Sequence, residues 1–494
     1  MSDFAIGIDI GTTGTKTVLF DADRGIVAQT SRPATLFSDR PGWAEADPAQ
    51  WVDNVVGSIA EVIGDAAIAP SAVKAVATTG MVPAVIPVDA QGRPLRRAIL
   101  QNDARATAEI AELSAALADT DLVALTGAAL TQQSVAPTAL WLRRNEPEIF
   151  SRTAYLLGSY DLVLTALGAA PHVEKNWALE SGLFRIAGDP LDAVLDAASL
   201  DSAMLAPVLS PGQVAGHLSA EMAERTGLPL ATPLVVGGAD HVLSAFAAGV
   251  DEHGDWLVKL GGAGDILVAS DDPIVDQRLY LDAHPVPGRW LPNGCMATSG
   301  SLIRWFQSLV GGEDLIRLDT EAQQRRPAEL LCLPYFLGEK SPLHDPDLRG
   351  VYAGLHLGTT RADMYRATLE AIAFGFRHHV EVFGELGIEL RRASITNGGS
   401  KSTLWKQIHA EVLGAPMYPV IDHPGASLGA ALIAAVGVGA LAGWDQCRQF
   451  IRLGEPVLPD PVNVVTYDAA YQEWRSLGRA TTDISHTLAE RTRQ

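Results

Sequence analysis

Apolar positions near the N-terminus form two short runs that are separated by a turn. Residues 4–10 are almost wholly apolar, residues 11–14 read Gly-Thr-Thr-Gly, and residues 15–20 return to β-branched and apolar side chains. Two such runs around a glycine turn predict a β-hairpin. Further along, strand-like runs alternate with helical periodicity, which favours an α/β fold. The strand-like runs cover residues 75–79 and 84–88, and the helical ones cover residues 48–63 and 104–117.

The same order of elements returns in the middle of the chain. Residues 233–240 form an apolar run that ends in Gly-Gly-Ala-Asp and is followed by helical residues 241–249. Residues 255–270 then repeat the opening pattern of strand, glycine turn and strand. Because a chain of 494 residues exceeds the roughly 250–300 residues of a single core, the repeat predicts two domains that meet near residues 250–254. We assign residues 1–250 to the N-terminal domain and residues 251–494 to the C-terminal domain.

Composition narrows the classes of partner. Hydrophobic residues make up 47% of the chain and charged residues 19%, and the formal net charge is −21. Such acidity argues against nucleic acid or an anionic membrane as the main partner. It does not argue against a nucleotide, because backbone N–H groups and a metal ion can bind phosphate on an acidic protein.

Cysteine usage and the N-terminal sequence indicate the compartment. The three cysteines are scattered and fit neither a disulfide framework nor a zinc-binding pattern. Residues 1–9 lack the basic segment of a secretory leader, and no apolar run reaches the ~18 residues of a membrane span. We therefore expect a cytoplasmic protein in a reducing compartment, with no membrane partner.

The opening glycine turn is a candidate phosphate site. Its two glycines would let backbone N–H groups approach a phosphate, and Thr12 and Thr13 would add hydroxyl donors. Asp9, just before the turn, could hold Mg²⁺. An ordinary β-hairpin explains the first turn equally well, but a second glycine turn at residues 261–264 suggests a clamp on a polyphosphate. The chain has no Walker motif, and the first turn leads into a strand rather than the helix of a Rossmann fold.

Asp240 is the candidate catalytic carboxylate. It follows two glycines at the end of a predicted strand, where open α/β sheets bind their ligands. The same position suits a helix N-cap, and the helix dipole keeps a capping carboxylate ionised, as a base must be. His241, next in sequence, is by itself more typical of a structural histidine. A further glycine turn in residues 395–400 would let a flat nucleoside lie on Gly398 and Gly399, although a plain strand–turn–helix connection explains it as well.

Together these segments resemble the FGGY family of carbohydrate kinases, which have the actin-like (ribonuclease H-like) ATPase fold. The resemblance extends over nearly the whole chain, and within the family it is strongest to the xylulose kinases. Its most specific part is residues 350–355 followed by residues 363–370, which fit the family's second signature. The other matching segments are residues 7–16, 42–48, 238–240, 259–265, 298–301, 334–342 and 398–407.

The resemblance implies an ATP-dependent kinase that transfers the γ-phosphate to a primary hydroxyl of a small sugar in a cleft between two domains. The N-terminal domain would bind mainly the sugar, and the C-terminal domain mainly ATP. Asp240 would accept the hydroxyl proton, and Asp9 would help to hold Mg²⁺. ATP would contact Thr12, Thr13, Lys16, Gly261, Gly262, Ala263, Ser301, Gly398, Gly399 and Ser400, and the sugar would contact Met81, Val82, Pro83, Asn102, Asp103, Asp240 and His241.

The sugar-contacting segments depart from the family. Residues 80–83 read Gly-Met-Val-Pro where bacterial xylulose kinases have Gly-Gln-Met-His, and the Arg-Glu pair of glycerol kinases is absent. Gln101 replaces the usual tryptophan before an Asn-Asp pair, and Thr138 replaces the usual lysine of the first signature. A ketopentose, xylulose or ribulose, is the first choice of substrate. A linear polyol such as erythritol or xylitol, or an aldonate such as gluconate, stays open.

A second class of function shares the same fold. A nucleotide-binding regulator would phosphorylate no sugar, and its sequence would be expected to lack Asp240 or one of the glycine turns. Both features are present, which favours the kinase. We also expect a homodimer, because dimers are the commonest closed oligomers.

Overall fold

The computed structural model describes residues 3–422 and 424–493, which fold into alternating strands and helices. None of the helices in these residues is both long and apolar enough to cross a membrane. The strands are β1 (Phe4–Ile10), β2 (Gly14–Asp21), β3 (Gly25–Pro33), β4 (Leu36–Phe37), β5 (Glu45–Ala46), β6 (Val73–Gly80), β7 (Ile86–Val88), β8 (Ala98–Ile99), β9 (Tyr155–Leu157), β10 (Val173–Glu174), β11 (Val208–Leu209), β12 (Val214–His217), β13 (Pro233–Ala239), β14 (Trp256–Leu260), β15 (Gly264–Val268), β16 (Tyr280–Ala283), β17 (Trp290–Met296), β18 (Leu331–Leu333), β19 (Val351–Ala353), β20 (Ala393–Thr396) and β21 (Met417–Pro419). The α-helices are α1 (Pro48–Asp65), α2 (Thr107–Ala116), α3 (Leu122–Thr126), α4 (Val135–Asn145), α5 (Pro147–Arg152), α6 (Ser159–Leu167), α7 (Lys175–Glu180), α8 (Asp192–Ala198), α9 (Ala220–Thr226), α10 (Asp240–Phe246), α11 (Gly300–Leu309), α12 (Leu315–Gln323), α13 (Arg361–Glu385), α14 (Thr403–Leu413), α15 (Ala426–Gly437) and α16 (Pro461–Arg493).

The N-terminal sheet is built on the opening hairpin. Its strand order is β12-β13-β6-β1-β2-β3. β1 pairs antiparallel with β2, which places Asp9 opposite Lys16, whereas β6 runs parallel to β1 and β13 parallel to β6. The three parallel strands are buried along almost their whole length, as expected for strands in a sheet that is covered by helices.

The C-terminal sheet repeats this construction. Its order is β16-β17-β15-β14-β20-β21, with β14 and β15 as an antiparallel hairpin. β20 runs parallel to β14, and β21 runs parallel to β20. The strands of the two sheets therefore correspond, β14 to β1, β15 to β2, β17 to β3 and β20 to β6. The predicted repeat of the hairpin and the two-domain α/β architecture are confirmed.

Helix α15 comes from the second half of the chain but packs on the N-terminal sheet. It follows the second sheet along the chain, yet it packs against β1, β6 and β13 of the first sheet. The close approach depends on Gly7, because a Cβ there would lie 2.1 Å from the backbone oxygen of Ser427 and 2.3 Å from the backbone nitrogen of Ala431. The hydrophobic core around the first sheet thus contains residues from both sides of residue 250.

Ion pairs hold the segment that joins the two sheets. Asp251 accepts a hydrogen bond from Nε of Arg448 at 2.7 Å. Asp255 accepts one from Nη2 of Arg392, also at 2.7 Å. Both arginines come from much later in the sequence, so the segment at the predicted boundary is tied to distant parts of the chain.

Local signals determine several helix ends. Ser402 caps α14, because its hydroxyl accepts a hydrogen bond from Trp405 N at 3.0 Å. Gly414 ends the same helix in the left-handed region, at φ 64°. The terminal helix α16 begins at Pro461. Proline is well suited to the first turn of a helix, where no N–H is needed.

Three of the buried histidines have similar surroundings. Burial lowers the pKa of His284, His379 and His409 to about 4, because the interior disfavours the charged imidazolium. In each ring one nitrogen lies within 2.9 Å of a backbone carbonyl oxygen; for His409 this is Nδ1, 2.8 Å from Trp405 O. These histidines are therefore structural.

Candidate active site

A cavity of about 180 Å³, here called the central cavity, lies where the two domains meet. One side is formed by residues that follow β6 and β13, and the other by residues of β14 to β17. Its wall combines carboxylates, amides, hydroxyls and two basic side chains. The lining residues are Val82, Gln101, Thr126, Ala128, Gln133, Leu179, Glu180, Asp240, His241, Lys259, Asp265, Tyr280, Leu281, Asp282, Asn293 and Cys295.

Asp240 occupies the first position of α10, directly after β13. The N-cap of this helix is Ala239, and no side-chain capping hydrogen bond is present at this helix start. The N-cap alternative considered from the sequence is therefore not what holds this carboxylate. Its side chain is 39% exposed and faces the central cavity, which leaves it accessible to a substrate.

Asp9 lies at the same edge of the sheet as Asp240. Their strands, β1 and β13, both pair in parallel with β6, so that their carboxyl ends meet. Oδ1 of Asp9 is buried without a hydrogen-bond partner in the part of the chain that the structure describes. Burial, and then the charge of Asp240, raise the pKa of Asp9 to about 7, although Lys16 and Lys259 act in the opposite direction. An unsatisfied buried oxygen beside a second carboxylate fits a bound cation.

His241 bridges two carboxylates. Its Nε2 lies 2.7 Å from Oδ2 of Asp282, and its Nδ1 lies 3.5 Å from Oδ1 of Asp240. Burial alone would lower the pKa of His241, but the charges of Asp282 and Glu180 and the hydrogen bonds to the carboxylates hold it well above the usual range. A positively charged imidazolium therefore stands beside the candidate base.

Lys259 is the second basic side chain of the cavity wall. Its Nζ lies 3.1 Å from Oδ2 of Asp265, across the second hairpin. Burial opposes its charge, but Asp265 and then Asp240 raise the pKa of the lysine above its usual value. The same ion pair outweighs burial and lowers the pKa of Asp265. Lys259 is thus a charged group within electrostatic range of the candidate base.

The first glycine turn places the hydroxyl groups of Thr12 and Thr13 beyond the ends of β1 and β2. Gly11 N donates to Gly14 O at 3.0 Å, which closes the turn. Thr12 Oγ1 makes a weak contact to the sulfur of Met81, at 3.9 Å, and Thr13 is exposed. Lys16, on β2, is exposed opposite Asp9. The structure therefore brings the predicted phosphate and metal residues of this hairpin to one edge.

The second glycine turn is braced by the start of α11. Gly262 O accepts hydrogen bonds from the backbone N–H groups of Ser299 and Ser301, and Gly261 O accepts one from Gly300 N at 2.7 Å. The hydroxyl of Ser301 also donates to Gly262 O, at 2.8 Å. Ser301 therefore supports the turn through its side chain, a role that the sequence pattern did not predict.

The predicted nucleoside turn has two glycines in different surroundings. A Cβ on Gly399 would lie 2.3 Å from Cζ3 of Trp405 and 2.6 Å from Cβ of Leu260. A Cβ on Gly398 would meet nothing within 4 Å. Ser400 turns its hydroxyl back onto Asn397 O, at 2.7 Å. Gly398 thus faces open space, whereas Gly399 is required by packing inside the protein.

The predicted sugar contacts divide into two groups. Val82, Asp240 and His241 line the central cavity. Asp103 is 5% exposed and is bound within the protein, because it accepts hydrogen bonds from Ala44 N at 2.6 Å and from Nη2 of Arg105 at 2.7 Å. The remaining predicted contacts are not lining residues of the central cavity, and they are Met81, Pro83, Asn102 and Asp103.

Several wall residues escaped sequence reasoning. Glu180 ends the short helix α7, and Asp282 lies within β16, where neither has a recognisable motif. Asn293 is on β17 and contacts Asp282, but it lies in an otherwise apolar run. Gln101 was visible in the sequence as a departure from the family pattern, but only the fold showed that it lines the cavity.

Comparison with protein families shows to which family this chain belongs. Residues 4–247 match the N-terminal domain of the FGGY family of carbohydrate kinases, and residues 261–438 match its C-terminal domain. This chain belongs to the FGGY family. It is therefore a phosphotransferase that acts on sugar hydroxyls, and membership of a kinase family implies ATP as the phosphate donor. The resemblance and the enzyme class inferred from the sequence are confirmed.

Relatives place this FGGY kinase near the xylulose kinases. The crystal structure of xylulose kinase from Rhodospirillum rubrum superposes with a TM-score of 0.92 at 41% identity, covering 97% of this chain and 99% of that one. The xylulose kinase of Bacillus subtilis is 26% identical over 492 residues, 98% of each chain. That of Escherichia coli is 28% identical over 478 residues, 96% of this chain and 98% of the relative. Both the two-domain fold and the predicted branch of the family are supported.

Proposed function

We propose that this FGGY kinase phosphorylates a primary hydroxyl of a ketopentose, xylulose or ribulose, with ATP as the donor. The observation that carries the proposal is the accessible carboxylate of Asp240, uncommitted to capping its helix, in a small polar cavity. The names of the relatives support the choice of sugar. A cavity volume of about 180 Å³ suits a small sugar better than an oligosaccharide.

Asp240 acts as the general base in this proposal. Its carboxylate accepts the proton of the sugar hydroxyl as that oxygen attacks the γ-phosphate in line. His241 and Lys259 place positive charge beside this carboxylate and beside the transferred group. Phosphoryl transfer requires positioning and charge neutralisation more than covalent catalysis, and this wall provides both.

Asp9 is the residue that we propose to hold Mg²⁺. Its buried Oδ1, which has no hydrogen-bond partner in the described residues, and its raised pKa fit a carboxylate that binds a cation. When bound, Mg²⁺ would neutralise charge on the phosphate oxygens. The residues proposed to contact ATP are Thr12, Thr13, Lys16, Gly261, Gly262, Ala263, Ser301, Gly398, Gly399 and Ser400.

The decisive experiment is a substrate panel assayed by coupled ADP detection. Xylulose and ribulose should stimulate ADP release more than erythritol, xylitol or gluconate. Higher kcat/KM for a polyol or for gluconate would replace the ketopentose with that substrate. ADP release that no sugar stimulates would contradict the proposal as a whole.

The Asp240→Asn variant tests the base. We expect kcat to fall by about 10²–10⁴-fold, the usual contribution of general base catalysis, while the affinity for the sugar is largely kept. Asp23→Asn, at an exposed turn between β2 and β3, is the matched control and should retain full activity. Near-normal turnover of Asp240→Asn would remove this residue from the catalytic role.

A further inference from the structure

Three oxygens of residues in the wall of the central cavity accept no hydrogen bond from the residues that the structure describes. They are Oδ1 of Asp282, Oε1 of Glu180 and Oε1 of Gln101, and all three are buried without a hydrogen bond in the described part of the chain. Their residues all line the central cavity. A buried polar oxygen without a partner is costly, so an occupant that donates hydrogen bonds would be favoured at each of these points.

Asp282 is fixed so that one oxygen remains available. Its side chain is only 2% exposed. Its Oδ2 accepts hydrogen bonds from Nε2 of His241 at 2.7 Å and from Nδ2 of Asn293 at 2.8 Å. Since both donors bind the same oxygen, Oδ1 is held rigidly and stays free for a ligand.

The cations of the wall are already paired. Among the lining residues the basic side chains are His241, bound to Asp282 at 2.7 Å, and Lys259, bound to Asp265 at 3.1 Å. Glu180 adds no positive charge in either of its protonation states. A carboxylate group on a ligand would therefore meet carboxylates without an uncommitted cation to compensate them, which is unfavourable at short range in a buried site.

Gln101 changes what the wall can recognise. Its position is occupied by tryptophan in the xylulose-kinase pattern that this sequence resembles, and an indole can only donate a hydrogen bond. The amide of Gln101 adds an acceptor oxygen to the wall, and that oxygen has no partner in the described structure. This residue therefore gives the wall a second fixed acceptor in addition to Asp282.

We propose that Gln101, Glu180 and Asp282 select a neutral polyhydroxy substrate by accepting hydrogen bonds from its hydroxyl groups, and that the wall disfavours aldonates such as gluconate because its carboxylates are not compensated by an uncommitted lining cation. The inference rests on the proposed function and assigns to particular residues the separation of neutral sugars and polyols from acidic sugars. It assigns the selectivity to residues outside the predicted sugar segments.

A bound metal ion is the competing occupant. Ligand atoms of Glu180, His241 and Asp282 lie within 4.8 Å of one another. However, Nε2 of His241 lies at hydrogen-bonding distance from Asp282, and a histidine must be deprotonated at the nitrogen that binds a metal. The hydrogen-bonded arrangement favours a hydroxyl ligand, and the experiment below includes the metal as an outcome.

Equilibrium binding without ATP tests selectivity independently of turnover. Titration calorimetry should show xylulose, or the best neutral compound of the panel, binding at least tenfold more tightly than gluconate. Gln101→Leu should weaken binding of the neutral compound about tenfold, since one hydrogen bond is lost and a substrate hydroxyl is left unpaired. Gln472→Leu, on the exposed face of α16, is the matched control and should change neither affinity.

Two further variants should reverse the preference. Asp282→Asn removes a negative charge from the wall, and Gln101→Lys adds an unpaired cation to it. Each should shift the ratio of the two affinities toward gluconate by about 10- to 100-fold, the range of a charge-assisted hydrogen bond. Gln101→Lys replaces a partly buried residue and remains informative if Asp282→Asn does not fold.

Three results would overturn the inference. The first is gluconate binding to the unmodified enzyme as tightly as the best neutral compound. The second is an unchanged preference in both Gln101 variants. The third is stoichiometric binding of Zn²⁺ that Asp282→Asn abolishes without altering sugar preference, which would identify a metal site. Failure of the proposed function is distinguishable, because it appears as absence of sugar-stimulated ADP release.

Discussion

Replacing Gly399 by alanine should destabilise this kinase, whereas replacing Gly398 should weaken nucleotide binding without destabilising it. The two positions are adjacent in the turn proposed to carry the nucleoside. Alanine at Gly399 would place a methyl carbon 2.3 Å from Cζ3 of Trp405 and 2.6 Å from Cβ of Leu260. Alanine at Gly398 would meet no protein atom within 4 Å.

The cost at Gly399 follows from how firmly its neighbour is held. Trp405 is 3% exposed, and its Nε1 donates to Leu369 O at 3.1 Å. The ring cannot move away without losing packing and this hydrogen bond. Overpacking of a core typically costs about 1–3 kcal/mol, and the upper end of that range is expected here.

The effect at Gly398 depends on the ligand. Its backbone is outside the left-handed region, so alanine is tolerated and should change the free energy of unfolding by less than about 1 kcal/mol. A nucleoside lying against this position would meet the new methyl group. If that overlap costs about 1–3 kcal/mol, the dissociation constant for ATP rises about 5- to 150-fold.

Two measurements separate these effects. Thermal unfolding without ligand reports stability, and titration calorimetry with ADP reports nucleotide affinity. We expect Gly399→Ala to lower Tm by several degrees and Gly398→Ala to leave it nearly unchanged. Unaltered ADP affinity in Gly398→Ala would show that the nucleoside does not lie on this turn, and an unaltered Tm in Gly399→Ala would refute the packing argument.

Two further predictions concern stability. Gly7→Ala should lower the free energy of unfolding by about 3 kcal/mol or more, because its methyl group would overlap backbone atoms of α15. Gly64→Ala is the control, since a Cβ there would meet nothing within 4 Å. Equal thermal stability of the two variants would contradict this prediction. Burial lowers the pKa of His409 to about 4 in the folded protein, whereas it is about 6.5 in the unfolded chain. The unfolded chain therefore takes up the proton at higher pH, and stability is lost as pH falls from 6.5 to 4, by up to about 3 kcal/mol. Urea unfolding of His409→Gln should therefore show a weaker loss of stability over this pH range than the parent enzyme. Buried carboxyls with raised pKa values, such as Glu339, have the opposite pH dependence but are common to both proteins. The same dependence of stability on pH in both proteins would contradict the prediction.

Much of the fold followed from short-range signals. The Gly-Thr-Thr-Gly segment between apolar runs predicted the β1–β2 hairpin, because strand and turn preferences act over a few residues. Ser402 and Gly414, at the two ends of α14, act over an equally short range. The position of Asp240 at a strand–helix junction was equally visible, but only the structure showed that Ala239, and not Asp240, is the N-cap of the helix.

The sequence by itself determined the hairpins, the repeat and the family resemblance, and therefore the reaction type. Only the tertiary structure decided that α15 packs on the N-terminal sheet and that Gln101, Glu180 and Asp282 share one wall. These groups come from separate elements, and their contacts depend on the strand order of two sheets and on how the domains meet. Periodicity and turn chemistry report local conformation, whereas a binding site is formed by residues that are distant along the chain.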